Sequence, residues 1–107
     1  MRVQQLSATA LQAKLVQAEP LVLLDVRESH EFDYASIAGS ILIPLQQLPQ
    51  HLSALNSASV TVVICHHGIR SQQAAEYLAG AGFSAVFNLT GGIDAWSVVC
   101  DASVPRY

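Results

Sequence analysis

The chain has 107 residues, 51% hydrophobic and 12% charged, with a formal net charge of −3. That balance fits one globular domain over residues 1–107, built on one core, and excludes a disordered chain. Lys14 is the one lysine and no basic cluster occurs, so nucleic acid and anionic membrane are excluded as partners.

The N-terminal stretch Met1–Leu6 lacks the apolar segment of a secretory signal, and no run is long enough to span a bilayer. Val3 to Leu6 reads as an edge strand. Ser7 or Thr9 then caps a helix from about Ala10 to Ala18, with Leu11 and Leu15 on one face. Leu21-Val22-Leu23-Leu24-Asp25-Val26 follows Pro20 and reads as a strand buried on both faces. Ser29 to Ala35 is a short helix candidate. Ile41-Leu42-Ile43 is a second buried strand, ended by Pro44.

Leu45 to Leu55 carries leucines at 45, 48, 52 and 55, a helical spacing that Pro49 interrupts near its start. Val60-Thr61-Val62-Val63-Ile64 is the clearest strand, being almost wholly β-branched. Ser71 to Ala81 reads as a helix with Ala74, Ala75, Leu78 and Ala79 on one face, ending at Gly80 or Gly82. Ala85–Leu89 is a further strand, and Gly91-Gly92 opens a last short helix through Ala95 and Trp96. Strands alternating with helices predict an α/β domain with a mostly parallel sheet. In such sheets ligand sites lie beyond the carboxyl ends of the strands.

The chemistry concentrates at Cys65-His66-His67-Gly68-Ile69-Arg70-Ser71. Cys65 follows the best strand, and a helix begins about five residues later. A short loop containing Gly68 curls backbone N–H groups toward the sulfur, and the helix N-terminus adds positive potential. Arg70 adds a fixed cation, and His66 or His67 adds another when protonated. Each favours thiolate over thiol, so Cys65 is the candidate nucleophile. A free Cys is often only a small core residue. A strand continuing inward, however, would not be followed by His-His-Gly.

His66 and His67 read as site residues or as exposed polar loop residues. Adjacent Cys-His-His does not supply three tetrahedral ligands, and no C-x2-C pair occurs, so no metal site is expected. Gly68 lacks the partners of a phosphate-cradling loop. Arg70 either binds a substrate anion or braces the loop through Asp25 or Glu31. Asp25 and Arg27, at a strand end, read as a structural ion pair, and Trp96 as core. Cys65 and Cys100 do not form a disulfide framework, and Cys100 lies too far along an irregular tail to be assigned as a resolving thiol. His30 and His51 read as surface residues. The expected home is the reducing cytoplasm, where thiols stay free.

Three stretches together resemble the rhodanese family. Leu24-Asp25-Val26-Arg27, with Glu31-Phe32, Ile37-Ala38-Gly39-Ser40 and Ile43-Pro44, is similar to its N-terminal signature. Cys65 to Ser71 is similar to its active-site loop, and Gly91-Gly92-Ile93-Asp94-Ala95-Trp96 to its C-terminal signature. Ala35-Ser36 replaces the Gly-His usual before Ile37, and His66-His67 follow the cysteine where many members carry other residues. The resemblance implies a rhodanese-like three-layer domain with a five-stranded parallel sheet flanked by helices. It implies a sulfurtransferase, thiosulfate sulfurtransferase-like, in which Cys65 takes sulfur from a small sulfur-containing anion such as thiosulfate. The persulfide then passes sulfur to cyanide, a thiol or a sulfur-accepting protein. His66, His67, Gly68, Ile69, Arg70 and Ser71 would bind the substrate, with no metal or organic cofactor.

Phosphatases and arsenate reductases of the same fold place Cys and Arg one residue further apart than Cys65 and Arg70, which makes a larger cradle. They stand as the enzymatic alternative. A non-enzymatic binding or redox-sensing module stands as the other.

Overall fold

A computed structural model describes residues 3–107; Met1 and Arg2, at the start of the segment read above for a signal, lie outside the described residues. Five strands form one sheet: β1 (Val3–Leu6), β2 (Val22–Asp25), β3 (Ile41–Leu42), β4 (Val60–Ile64) and β5 (Ala85–Leu89). Their order is β1-β5-β4-β2-β3, and every pairing is parallel. The β-branched run therefore sits at the centre and β1 at an edge, as expected.

The helices are α1 (Ala8–Val16), α2 (Ser29–Tyr34), α3 (Leu48–His51), α4 (Ile69–Gly80) and α5 (Gly92–Val99). Side-chain alternation along β4 splits the core into two layers. Val63 faces a cluster with Leu48, Ala74, Ala75 and Leu78, on the side of α3 and α4. Val62 and Ile64 face Leu11, Ile93 and Trp96, on the side of α1 and α5. All three β4 residues are fully buried, and each such side chain contributes roughly 1.5–3 kcal/mol of transfer free energy. Trp96 is core, as read from the sequence. No helix among the described residues is long and apolar enough to cross a membrane.

Three boundaries differ from expectation. Ser7, not Thr9, caps α1, its Oγ accepting from the Ala10 N–H at 3.1 Å, so the helix starts at Ala8. The leucine-spaced segment 45–55 is not one helix. It breaks into a 3-10 turn at Leu45–Gln47, the single turn of α3, and a second 3-10 turn at Leu52–Ala54. Pro49 lacks an N–H, yet the leucines still face the core, so the spacing recorded burial rather than continuity. Helix α4 begins at Ile69 instead of Ser71, because Gly68 adopts φ +106° and turns the loop directly into the helix.

Candidate active site

Cys65 continues the alternation of β4 and points to the α4 side, at the carboxyl end of the central strand. It is 1% exposed. The Gly68 N–H donates to its Sγ at 3.0 Å, and Ser71 Oγ lies 3.2 Å away. The expected ring of loop donors is thus narrower: among the described residues, the sulfur meets one backbone N–H and one hydroxyl.

Asn88, in β5, organises both contacts. Its Nδ2 donates to the Gly68 carbonyl at 3.2 Å and to Gln5 Oε1 at 3.0 Å. Its Oδ1 accepts from the Ser71 hydroxyl at 2.5 Å. A serine hydroxyl has one hydrogen. With that hydrogen on Asn88, Ser71 accepts from a Cys65 thiol; once the thiol proton leaves, Ser71 can turn to donate to sulfur. Sequence reasoning missed Asn88. Its signal was an amide inside an otherwise apolar strand, Ala85-Val86-Phe87-Asn88-Leu89.

Helix α5 docks on the loop from the other side. The Ile93 N–H donates to the Cys65 carbonyl at 2.8 Å and the Asp94 N–H to the His66 carbonyl at 3.1 Å. Only glycine permits this at position 92. A Cβ there would lie 2.4 Å from both carbonyl oxygens, and its φ is +61°.

Arg70 pairs with Glu31 of α2. Its Nη1 and Nη2 form a fork on the two Glu31 oxygens at 2.7 and 3.0 Å. The Arg70 hydrogen bonds hold the Glu31 carboxyl far below the usual carboxylate range against the opposing effect of burial, and Glu31 raises Arg70 in turn. Of the two partners offered by the sequence, Glu31 is the observed one. Asp25 instead pairs with Arg27, both fully buried, at 2.7 Å. A folded-state pKa that is lowered contributes stability above the unfolded carboxyl value and loses it as pH falls through the folded one. Glu31→Gln should therefore lower the thermal midpoint at neutral pH, and the gap to wild type should begin to narrow only below about pH 4 and keep shrinking as the pH falls further. Melting curves across pH check this; a gap independent of pH would contradict it.

His66 is stacked between His67 and Tyr107, with ring centroids 3.9 Å from each. Burial, with His67 adding to it, pushes the His66 imidazole below its ordinary value. That shift weakens any contribution of His66 to the positive charge expected from the sequence for either histidine when protonated. Its Nε2 is buried without a hydrogen-bond partner. His67 is exposed, with Nε2 3.9 Å from Asp94 Oδ2. Asp94 brings a third ligand group that adjacency of the histidines did not supply, and one atom from each residue falls within 4.8 Å of the others. The Asp94 carboxylate is already held in a fork by Arg106, at 2.8 and 3.2 Å.

Ile69 is 75% exposed, while Ser71 is fully buried. Tyr107, which nothing in the sequence marked, accepts from Arg27 Nη1 at 2.7 Å and donates to Glu31 Oε2 at 2.8 Å. Cys100 ends α5 and packs against the α1/α5 layer, on the opposite face of the sheet from Cys65. His30 and His51 are exposed, as expected.

A cysteine held at the carboxyl end of the central parallel strand, with its loop clasped between α4 and α5, defines an α/β domain built around a cysteine loop. The family model of the rhodanese-like domain matches residues 7–98, and the chain belongs to that family. Thiosulfate sulfurtransferase GlpE of Stutzerimonas stutzeri is 36% identical over 85 residues, covering 79% of this chain and 78% of its own length. Rhodanese-like/PpiC domain-containing protein 12, chloroplastic, of Arabidopsis thaliana is 44% identical over 89 residues. That match spans 79% of this chain but only 30% of that protein, and the match to the maize adenylyltransferase and sulfurtransferase MOCS3-1 spans 83% of this chain and 20% of that protein. The crystal structure of a rhodanese-like domain protein from Staphylococcus aureus superposes with a TM-score of 0.84 at 28% identity. It covers 97% of this chain and 98% of that one.

Proposed function

We propose that the chain is a rhodanese-type sulfurtransferase that carries sulfur as a Cys65 persulfide. The observation that supports it most is the Cys65 sulfur receiving the Gly68 N–H at 3.0 Å beside a hydroxyl that can turn toward it. Fixed donors aimed at a sulfur favour its anionic forms.

In the first step the Cys65 thiolate attacks the outer sulfur of thiosulfate. A sulfur–sulfur bond forms, the bond to the sulfonate sulfur breaks, and its electron pair leaves with sulfite. In the second step an acceptor nucleophile attacks the outer persulfide sulfur, and Cys65 departs as thiolate. Cyanide is the assay acceptor; a thiol or a sulfur-accepting protein is the acceptor we assign in the cell. Both steps are heterolytic displacements at sulfur and need neither metal nor organic cofactor. His66, His67, Gly68, Ile69, Arg70 and Ser71 form the substrate-side loop, with Gly68 and Ser71 touching the sulfur and Arg70 bracing through Glu31. The two free thiols suit a reducing, cytoplasmic setting.

The phosphatase reading is weaker. Arg70 follows Cys65 by five positions, which shortens the loop, and its guanidinium is committed to Glu31. Thiosulfate should release sulfite when cyanide is present, while aryl phosphate hydrolysis stays at background. Robust aryl phosphate turnover without sulfite release would reverse the ranking.

A further inference from the structure

Residues 101–107 follow α5 and reach the Cys65 loop, beyond the stretch 7–98 that matches the family model. Three contacts carry them there. Val104 is buried, and its carbonyl accepts from Ser97 Oγ at 2.5 Å. Arg106 forks onto the Asp94 carboxylate, and the Asp94 N–H holds the His66 carbonyl at 3.1 Å. Tyr107 then lies flat against the His66 ring, with centroids 3.9 Å apart and planes 6° from parallel.

Tyr107 is tied to both ends of the loop. Its ring covers one face of His66, the residue after the nucleophile, and His67 takes the other face. Its hydroxyl donates at 2.8 Å to the Glu31 carboxylate that holds Arg70. The same hydroxyl accepts from the buried Arg27 at 2.7 Å, and the Tyr34 ring meets the Tyr107 ring edge to face at 6.0 Å. Tyr107 is 43% exposed and belongs to neither layer of the core. Its contacts therefore fix what they touch more than they fill the interior. What they touch stands two residues before Gly68, whose N–H meets the sulfur at 3.0 Å.

We propose that Tyr107 is a positioning residue for sulfur transfer: by stacking on His66 it holds the Cys65 loop in the shape that aims the Gly68 N–H at the sulfur. The inference rests on the sulfurtransferase reading above. The hold matters in both half-reactions, because Sγ is the nucleophile in one and the leaving group in the other, and a fixed donor favours its anionic form each time. A misplacement of about 1 Å can cost roughly 10²-fold in rate.

Thiocyanate formation tests this, with kcat/KM for thiosulfate and for cyanide taken separately. Wild type is compared with Tyr107→Ala, Tyr107→Phe, His66→Ala and the double variant. Melting curves set an assay temperature at which all are folded; the loss of a ring outside both core layers leaves the fold in place. Tyr107→Ala should lower both kcat/KM values by about tenfold or more. Tyr107→Phe keeps the stacking face and should stay within about threefold of wild type. In the His66→Ala background, Tyr107→Ala should cost less than about twofold, because the contact it acts through is already gone. A purely stabilising role would lower the melting midpoint and leave both kcat/KM values near wild type, and that result overturns the proposal. So does Tyr107→Phe as slow as Tyr107→Ala, or the full Tyr107→Ala loss reappearing on top of His66→Ala. In each of these cases wild type still forms thiocyanate. Its failure to do so would overturn the sulfurtransferase reading, and the proposal with it.

Discussion

Replacing Cys65 by serine should abolish sulfur transfer from thiosulfate to cyanide, a loss of at least about 10³-fold. Serine keeps the size and the hydrogen-bonding capacity at a site already satisfied by Gly68 and Ser71, so the fold should survive. What it lacks is a sulfur able to form and release a sulfur–sulfur bond. Cys100→Ser should retain most of the activity. Cys100 packs on the other face of the sheet, and burial, with Asp101 adding, pushes its thiol up and away from the reactive form. Thiocyanate formation by the two variants decides the point. Equal activity in wild type and Cys65→Ser would remove the nucleophile from the mechanism.

Asp25→Ala should cost about 3–5 kcal/mol of stability, because it leaves the fully buried Arg27 guanidinium without its counter-charge. Arg27 clasps both Asp25 oxygens through Nε and Nη2 at 2.7–3.1 Å. It also donates to the carbonyls of Ala35 at 2.5 Å and Glu31 at 3.3 Å, and to the Tyr107 hydroxyl at 2.7 Å. The pair therefore ties β2 to both ends of α2 and to the tail beside the active-site loop. Denaturant midpoints should fall accordingly, and Glu31, the partner of Arg70, should lose its fixed position. Replacing both members by apolar residues of similar volume should recover much of the stability, since no unpaired charge then stays inside. A cost for Asp25→Ala below about 1 kcal/mol would contradict this reading of the pair.

The central strands β2 and β4 were legible because burial on both faces leaves unbroken apolar runs, whereas Ile41-Leu42-Ile43, read as buried, forms a two-residue edge strand with Ile41 43% exposed. Val60–Ile64 is the clearest of those runs. The reach of Cys65 beyond that run followed from the polar residues after it. Positions 45–55 misled because one proline can divide a helix without disturbing the inward spacing of leucines. Helix α4 started early because the conformation of Gly68 is decided by its approach to β5 and Gly91, which local pattern does not encode. Asn88 and Tyr107 reach the site across 23 and 42 positions of sequence from Cys65, through strand pairing and tail docking. Their partners appear only when the sheet is assembled. Arg70 offered two partners in sequence, and packing of α2 beside the loop selected Glu31.

The persulfide is the centre of the account, and mass spectrometry of the intact protein after treatment with thiosulfate tests it most directly. The account predicts a gain of one sulfur atom, placed on Cys65 by peptide mapping, lost on addition of cyanide, and absent from Cys65→Ser. An unchanged mass in wild type, or an added sulfur carried by Cys100, would contradict it.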